Sequence, residues 1–294
     1  MEVLRYLESI RTPFLTVFFK FWTLFGEETL IVALICLVYW CIDKKLAYKL
    51  IFTMFVAGTL IQNMKISFRI ERPWIRDPNF TSVDGAGATG YSFPSGHTQG
   101  AASFFGTSAI HLRKLRYTLI CVFVILMVAL SRMYLGVHTP EDVIVGMVLT
   151  VLTAALCSYI FDRWLADNKH DLTVSVIFTA ISLFTLVLSF ILMNSGYIES
   201  AQTSDCFKIA GTGFGIAAGW YIERRFIKFT TKEKNILWQI IKLAVGLLIA
   251  VALKSGLKII FGDGLIMNVI RYFITIMWVL VIYPYIFNKI RKRS

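Results

Sequence analysis

Long apolar runs repeat along almost the whole chain, and they limit its fold more than any other feature. A helix that crosses a membrane needs about 20 mostly apolar residues. Runs near that length lie at residues 29–42, 47–66, 97–112, 117–133, 141–161, 172–193, 206–222, 235–254 and 265–287. The sequence therefore predicts an all-α, polytopic membrane helical bundle with about nine transmembrane helices.

The composition excludes the other broad classes of protein. The chain is 57% hydrophobic and 16% charged, whereas soluble domains are about 45–50% apolar and about 25% charged. A net charge of +12 would suggest nucleic acid in a soluble protein. In a membrane protein, Lys and Arg gather instead in cytoplasmic loops and near anionic headgroups. We therefore expect a multi-pass protein of the cell membrane with no nucleic-acid partner.

The first 28 residues mix charged and apolar residues in an amphipathic pattern. Arg5, Glu8, Arg11 and Lys20 alternate with Leu and Phe residues, which favours an N-terminal amphipathic helix lying in the membrane interface. A poor extra span is the alternative. We therefore expect three segments: the interfacial helix at 1–28, a core of about five transmembrane helices at 29–166, and a four-helix transmembrane extension at 167–294.

The distribution of Lys and Arg predicts the orientation of the chain. If the spans alternate, one side holds Lys44, Lys45, Lys49, Arg113, Lys114, Arg116, Arg163, Lys169, Arg224, Arg225, Lys228, Lys232, Lys234, Lys289, Arg291, Lys292 and Arg293. The opposite side includes the loop 194–205, which has neither Lys nor Arg. The positive-inside rule makes the first side cytoplasmic, and with it the C-terminal Ser294.

Two polar clusters flank the segment between the second and third spans. The first contains Lys65, Arg69 and Arg72, followed by Pro73. On a helix that ends before Pro73, Lys65 and Arg72 would share one face. The second cluster is Phe93-Pro94-Ser95-Gly96-His97-Thr98. Pro and Ser favour a helix start there, and the free N–H groups of a helix start bind anions.

A third polar cluster joins the fourth and fifth spans. It contains Arg132, His138 and Asp142. Thr139 can cap the fifth helix and Pro140 can open it, which leaves His138 just outside with Asp142 within reach of its imidazole. Alternation of the spans brings all three clusters to the extracytoplasmic face. Each cluster alone fits a helix cap or a snorkelling side chain, but together they fit phosphoryl transfer, which needs cations, N–H donors, a nucleophile and an acid.

The three clusters resemble a known signature. The matching motifs are Lys65-x6-Arg72-Pro73, Pro94-Ser95-Gly96-His97 and Ser131-Arg132-x5-His138-x3-Asp142. They are similar to the three-part signature of the type 2 phosphatidic acid phosphatase superfamily, which includes lipid phosphate phosphatases, undecaprenyl-diphosphate phosphatases and glucose-6-phosphatase. The resemblance covers about residues 30–160, and residues after about 167 match nothing in the signature.

The resemblance implies a role for each matching residue. His138 would be the nucleophile that forms a phosphohistidine, Asp142 would hold its tautomer, and His97 would be the general acid and then the base. The phosphoryl oxygens would be bound by Lys65, Arg72, Ser95, Gly96 and Arg132. No cofactor and no metal site are expected, because the acidic residues are scattered and the family usually needs no metal.

Further basic residues lie outside the signature. Arg69 and Arg76, together with Lys254 and Arg271 in the last two spans, are candidate contacts to a lipid headgroup. Lys254, Lys258, Asp263 and Arg271 could instead pair with one another, which is the favoured alternative. Three glycines in the same half, Gly211, Gly215 and Gly219, have the four-residue spacing of a close helix contact.

The leading hypothesis is an integral membrane phosphatase acting on a lipid or polyprenyl phosphate or diphosphate. A lipid phosphotransferase with the same intermediate and a glucose-6-phosphatase-like sugar phosphatase are alternatives within enzymes. A transporter of anionic lipids is the alternative from another class, although it predicts paired, interrupted helices in two halves. The expected partner is the lipid substrate; no protein partner is evident, and a homodimer is compatible with the sequence.

Overall fold

The structure is a computed structural model that describes residues 1–231 and 235–291. Within these residues all regular secondary structure is helical. The α-helices are α1 (Glu2–Ser9), α2 (Pro13–Thr23), α3 (Glu28–Leu37), α4 (Lys44–Phe68), α5 (Pro73–Arg76), α6 (Gly96–Ala101), α7 (Thr107–Leu112), α8 (Leu115–Tyr134), α9 (Pro140–Trp164), α10 (Asp171–Asn194), α11 (Ser200–Ile222), α12 (Ile236–Phe261), α13 (Leu265–Met277) and α14 (Tyr283–Arg291). Lys232, Lys234, Lys292, Arg293 and Ser294, which the charge pattern assigns to the cytoplasmic side, lie outside the described residues.

Several helices continue through a tighter or wider turn. A 3-10 turn, Leu24–Gly26, follows α2, and π-helical segments occur at Val38–Ile42, Ala102–Gly106, Glu223–Ile227 and Trp278–Ile282. The segment Ala102–Gly106 joins α6 to α7, so the predicted third span is one continuous helix. The segment Trp278–Ile282 joins α13 to α14 in the same way.

Six helices are long and apolar enough to cross a membrane by length and composition. They are Lys44–Arg76, Leu115–Tyr134, Pro140–Trp164, Asp171–Asn194, Ile236–Phe261 and Leu265–Ile290. The pair Pro13–Gly26 and Glu28–Ile42, bent by 50°, raises the number to seven if it is one span. The predicted count of nine is therefore not confirmed. The helix from α6 to α7 is shorter than these six, and α11 is less apolar because it carries Asp205, Lys208 and many small residues.

The first 28 residues form two successive helices instead of the single amphipathic helix that the pattern predicts. α1 ends at Ser9, and α2 begins at Pro13. Pro13 has no backbone N–H to donate, so a continuous helix would lose a hydrogen bond there. The side chain of Thr12 accepts a hydrogen bond from the Leu15 N–H at 3.2 Å and caps α2. Placement of these residues in the membrane interface stays a prediction.

Contacts between residues divide the chain into two units. The first consists of Met1–Val32 and Lys49–Ser158, and the second of Ala33–Tyr48 and Tyr159–Ser294. All three polar clusters belong to the first unit, where α2 and α6 both pack on α8. The predicted segments 1–28, 29–166 and 167–294 stay a prediction.

Close helix packing characterises the second unit. α11 packs on both α10 and α13. A Cβ atom added to Gly215 would lie 2.7 Å from Ile276 Cβ, and one added to Gly219 would lie 2.9 Å from Leu280 Cβ. Gly211 is similarly close to the backbone of Val269. The prediction that these glycines serve helix packing is confirmed, because no larger residue fits where the two helices touch.

Candidate active site

The first cluster does not lie on one helical face as its spacing predicts. α4 ends at Phe68, and Arg69 adopts the left-handed conformation with φ of 53°. Arg72 follows in an extended conformation directly before Pro73, which disfavours the helical conformation at the preceding residue. Lys65 therefore projects from a helix and Arg72 from the turn beyond it. Both side chains are buried, with exposed fractions of 8% and 5%.

A single loop, residues 86–92, brings the cations of the first and third clusters together. From its start to its end, the loop's backbone carbonyls accept hydrogen bonds first from Arg132, then from Arg72 and last from Lys65. Lys65 Nζ donates to Tyr91 at 2.6 Å, Arg72 Nε and Nη2 to Gly90 at 3.0 Å and Thr89 at 2.6 Å, and Arg132 Nη1 and Nη2 to Ala86 at 2.7 Å and Gly87 at 3.2 Å. Carbonyl dipoles stabilise buried cations without neutralising them. The loop thus holds three positive charges around one site.

His138 lies at the centre of this site and is 1% exposed. Its Nδ1 is 3.4 Å from Asp142 Oδ2, and its Nε2 is 3.0 Å from Arg72 Nη1. An imidazole with the Nδ1 proton toward the carboxylate has its lone pair on Nε2. An anion bound to the Arg72 guanidinium would therefore lie next to that lone pair.

The Asp142 carboxylate accepts hydrogen bonds from two donors besides the His138 imidazole. Its Oδ2 accepts from Ser92 Oγ at 2.5 Å and from the Thr139 N–H at 2.8 Å. Ser92 Oγ is also 3.4 Å from His138 Nδ1. Ser92 and Thr139 therefore fix the carboxylate against the imidazole, and the orientation of the ring follows from them.

The pKa of His138 is well below its usual value of 6.5, first because of burial and then because of the charges on Arg72, Lys65, Arg132 and His97. A lowered pKa favours the neutral imidazole. The side chain can therefore act as a nucleophile at neutral pH, where a protonated imidazole could not.

The second cluster starts α6 and contacts the third cluster through the backbone. Ser95 caps the helix: its Oγ accepts from the Thr98 N–H at 3.4 Å. The Ser95 N–H donates to the Asp142 carbonyl at 2.9 Å. A Cβ atom added to Gly146 of α9 would lie 2.9 Å from the Ser95 carbonyl oxygen. The start of α6, with Gly96 and His97, is thereby docked onto the start of α9, next to His138.

The candidate headgroup residues are divided between the two units. Arg69 and Arg76 are exposed. Lys254 and Arg271 belong to the second unit, where Lys254 lies over the Tyr272 ring at 5.3 Å. Asp263 pairs there with Lys258 at 2.8 Å and with Arg271 at 3.0 Å. The structure thus shows the pairing alternative for Arg271, and headgroup contact by these four residues stays a prediction.

Sequence reasoning missed two side chains that shape the site. Ser92 lies 50 positions from the Asp142 carboxylate to which it donates, and no periodicity connects the two residues. Thr23 accepts a hydrogen bond from Arg132 Nη1 at 2.9 Å, 109 positions away. Neither residue carries a signal in the sequence, since both contacts arise from chain packing. Among the described residues no three His, Cys, Asp or Glu side chains are grouped as a metal site would require.

Comparison with protein families supports the signature. Residues 46–166 match the family model described as the PAP2 superfamily, and this range includes all three clusters. Residues 207–294 match the model described as PAP2 superfamily phosphatase, transmembrane extension. The second match falls after about residue 167, in the part of the chain that contains none of the three signature motifs.

Similar proteins include two that are described as sphingosine-1-phosphate phosphatases. A probable sphingosine-1-phosphate phosphatase of Dictyostelium discoideum is 28% identical over 171 residues, which are 52% of this chain and 40% of that protein. Sphingosine-1-phosphate phosphatase 2 of Mus musculus is 22% identical over 223 residues, which are 74% of this chain and 61% of that protein. The chain thus matches 40% and 61% of the length of these two curated relatives.

Two crystal structures of other proteins align with part of this chain. A transmembrane PAP2-type phosphatidylglycerolphosphate phosphatase from Bacillus subtilis aligns with a TM-score of 0.48 at 22% identity, over 55% of this chain and 84% of that chain. LpxE from Aquifex aeolicus aligns with a TM-score of 0.46 at 25% identity, over 53% of this chain and 92% of that chain.

Proposed function

From the premise that this chain belongs to the PAP2 superfamily, we propose that it is an integral membrane phosphatase acting on a lipid phosphate or diphosphate through a phosphohistidine on His138. One observation carries the proposal. His138 Nε2 lies 3.0 Å from Arg72 Nη1, while its Nδ1 faces Asp142 at 3.4 Å. This arrangement places a neutral nucleophile next to the cation that would bind the phosphoryl group.

The reaction follows from these positions in two steps. His138 Nε2 attacks phosphorus, the bond to the leaving oxygen breaks, and His97 donates its proton to that oxygen. His97 then removes a proton from water, whose oxygen attacks phosphorus and releases His138 and phosphate. Lys65, Arg72 and Arg132 stabilise the charge that develops on the phosphoryl oxygens in both steps. Asp142 stabilises the imidazolium character of His138.

The substrate is proposed from chemistry and from the relatives' names. The relatives are described as sphingosine-1-phosphate phosphatases, so a lipid monophosphate with one chain is the first candidate. Polyprenyl diphosphate remains the second, because a phosphate leaving group fits the same two steps. A glycerophospholipid monophosphate belongs in the same panel.

Phosphate release in the presence of EDTA tests the proposed activity. We expect the purified protein to release phosphate from a panel of lipid phosphates containing sphingosine-1-phosphate, phosphatidic acid and undecaprenyl diphosphate, and much less from glucose-6-phosphate. Vanadate should inhibit, since a trigonal-bipyramidal oxyanion resembles the transition state. Activity that disappears in EDTA and returns with magnesium would contradict the mechanism.

The same assay separates the alternatives. A phosphotransferase would move labelled phosphate to an added lipid alcohol without releasing it to water. A sugar phosphatase would prefer glucose-6-phosphate over every lipid. A transporter would neither release nor transfer phosphate from any member of the panel.

We also propose that the active site faces away from the cytoplasm, on the basis of the Lys and Arg distribution. Cysteines introduced by Asp84→Cys and Glu199→Cys, both at exposed positions, should react with an impermeant maleimide in intact cells when the five native cysteines are replaced. Ser294→Cys should react only after the cells are permeabilised. Labelling of Ser294→Cys but not of Asp84→Cys would mean the inverse orientation.

A further inference from the structure

The end of helix α2 packs against two of the three catalytic clusters, although it precedes the family match, which begins at residue 46. Trp22 and Phe25 pack against a buried apolar group on α6 and α8 that consists of Ala101, Val124 and Val128. A Cβ atom added to Gly26 would lie 2.5 Å from the His97 carbonyl oxygen. The 3-10 turn Leu24–Gly26, directly after α2, therefore touches the backbone of the proposed general acid.

Thr23, at this same end of α2, contacts the third cluster. Arg132 is completely buried, and its Nη1 donates to Thr23 Oγ1 at 2.9 Å and to the Ala86 carbonyl at 2.7 Å. Its Nη2 donates to the Gly87 carbonyl at 3.2 Å. The Arg132 Nε is buried and has no hydrogen-bond partner among the described residues. A buried donor without an acceptor is costly, which indicates that this N–H is reserved for a ligand oxygen.

We infer that Thr23 is a positioning residue for the proposed phosphatase reaction, which directs Arg132 Nε toward a phosphoryl oxygen. This inference rests on the proposed function. A guanidinium is planar, so fixing Nη1 and Nη2 also fixes the direction of Nε. Ala86 and Gly87 belong to a loop, whereas Thr23 ends a helix that packs on α8, which carries Arg132. An acceptor on a packed helix holds a donor more closely than one on a loop.

The inference makes residues before the family match part of the phosphate site. Without the Thr23 hydroxyl, Nη1 keeps one of its two acceptors, and the guanidinium can turn about the remaining contacts. Binding of the transition state should weaken more than binding of the lipid chain, because the misdirected N–H would contact only the phosphoryl group.

The test compares Thr23→Val, Thr23→Ser and Thr16→Val in the full chain. Valine keeps the shape of threonine and removes the hydroxyl, serine restores the hydroxyl, and Thr16 lies on the same helix with its Oγ1 3.5 Å from the Tyr134 hydroxyl. We expect Thr23→Val to lower kcat/KM for lipid phosphate and to weaken vanadate binding by about 10- to 100-fold. Thr23→Ser should stay within about threefold of the parent, and Thr16→Val should match the parent.

A double-mutant cycle distinguishes positioning from packing. In an Arg132→Lys background, Thr23→Val should lower kcat/KM by less than about threefold, because the Thr23 hydroxyl has no guanidinium to orient there. The inference would be overturned if Thr23→Val lowered kcat/KM as much in the Arg132→Lys background as in the parent. It would also be overturned if Thr23→Ser lost as much activity as Thr23→Val, or if Thr23→Val kept the parental kcat/KM and vanadate affinity. If Thr23→Val folds poorly, Thr23→Ser and the same double-mutant cycle built with Thr23→Ala test the inference instead.

Failure of the proposed function would look different. A parent protein that neither releases phosphate from the lipid panel nor binds vanadate would overturn the phosphatase assignment, and the role of Thr23 with it. A parent that does both while all Thr23 variants match it would overturn the role of Thr23 alone.

Discussion

Replacement of His138 by alanine should lower phosphate release by on the order of 10⁴-fold or more, because no other group can form the covalent intermediate. The variant should keep its fold. Asp142 retains the hydrogen bonds from Ser92 and Thr139, so the carboxylate is not left without donors. The measurement is steady-state phosphate release, together with acid-quench trapping of labelled phosphoenzyme, which the parent should form and the variant should not.

His170→Ala is the matched control for this variant. His170 is exposed and begins the segment that leads into α10 in the second unit. Its replacement should leave both phosphate release and phosphoenzyme formation at the parental level. Substantial turnover by the His138→Ala protein would mean that the phosphohistidine mechanism is wrong, whatever the fate of the control.

Asp142→Asn should lower kcat/KM by on the order of 10³- to 10⁴-fold, because an amide can direct an N–H at His138 and favour the wrong tautomer. Ser92→Ala should lower kcat/KM only about tenfold, since the carboxylate keeps its contacts to His138 and Thr139. The two variants therefore form a graded pair, measured by kcat/KM on one lipid phosphate. Asp142→Asn with activity within a few-fold of the parent would contradict the orienting role.

The pH profile gives a second measurement on the same pair. Because the pKa of His138 is already below 6.5, the parent should lose kcat/KM only when the pH falls below that value and the imidazole becomes protonated. Loss of the Asp142 charge removes an interaction that favours the imidazolium, so the acid limb in Asp142→Asn should move to lower pH. A shift toward higher pH would be inconsistent with the carboxylate facing His138.

Local patterns in the sequence predict those parts of the site that depend on neighbouring residues. Thr139, Pro140 and Asp142 predict a helix start with His138 just outside it, and the structure has α9 begin at Pro140 with the Thr139 N–H on Asp142. The start of α6 after Ser95 is predicted in the same way. Helix caps involve only the few residues around a helix end, so their residue types are sufficient to identify them.

The pattern fails where the chain changes direction. The spacing of Lys65 and Arg72 predicts a shared helical face, but the helix ends at Phe68 and Arg69 is left-handed. Residue spacing predicts a shared face only within the actual length of a helix. Pro73 indicates that the helix ends before it but does not fix the last helical residue. The count of nine spans is not confirmed for a similar reason. A run of apolar residues shows neither where α2 and α3 bend nor which helices are short or polar.

The sequence by itself determined an all-helical membrane protein and the positions of the three motifs, because hydrophobicity and helix capping act over one turn or one span. Only the tertiary structure decided that the carbonyls of loop 86–92 receive all three cations, that Ser92 holds Asp142, and that Thr23 holds Arg132. These contacts join residues 17 to 109 positions apart. They form because packed helices bring distant backbone segments together, and buried charges must then take whichever polar groups that packing supplies.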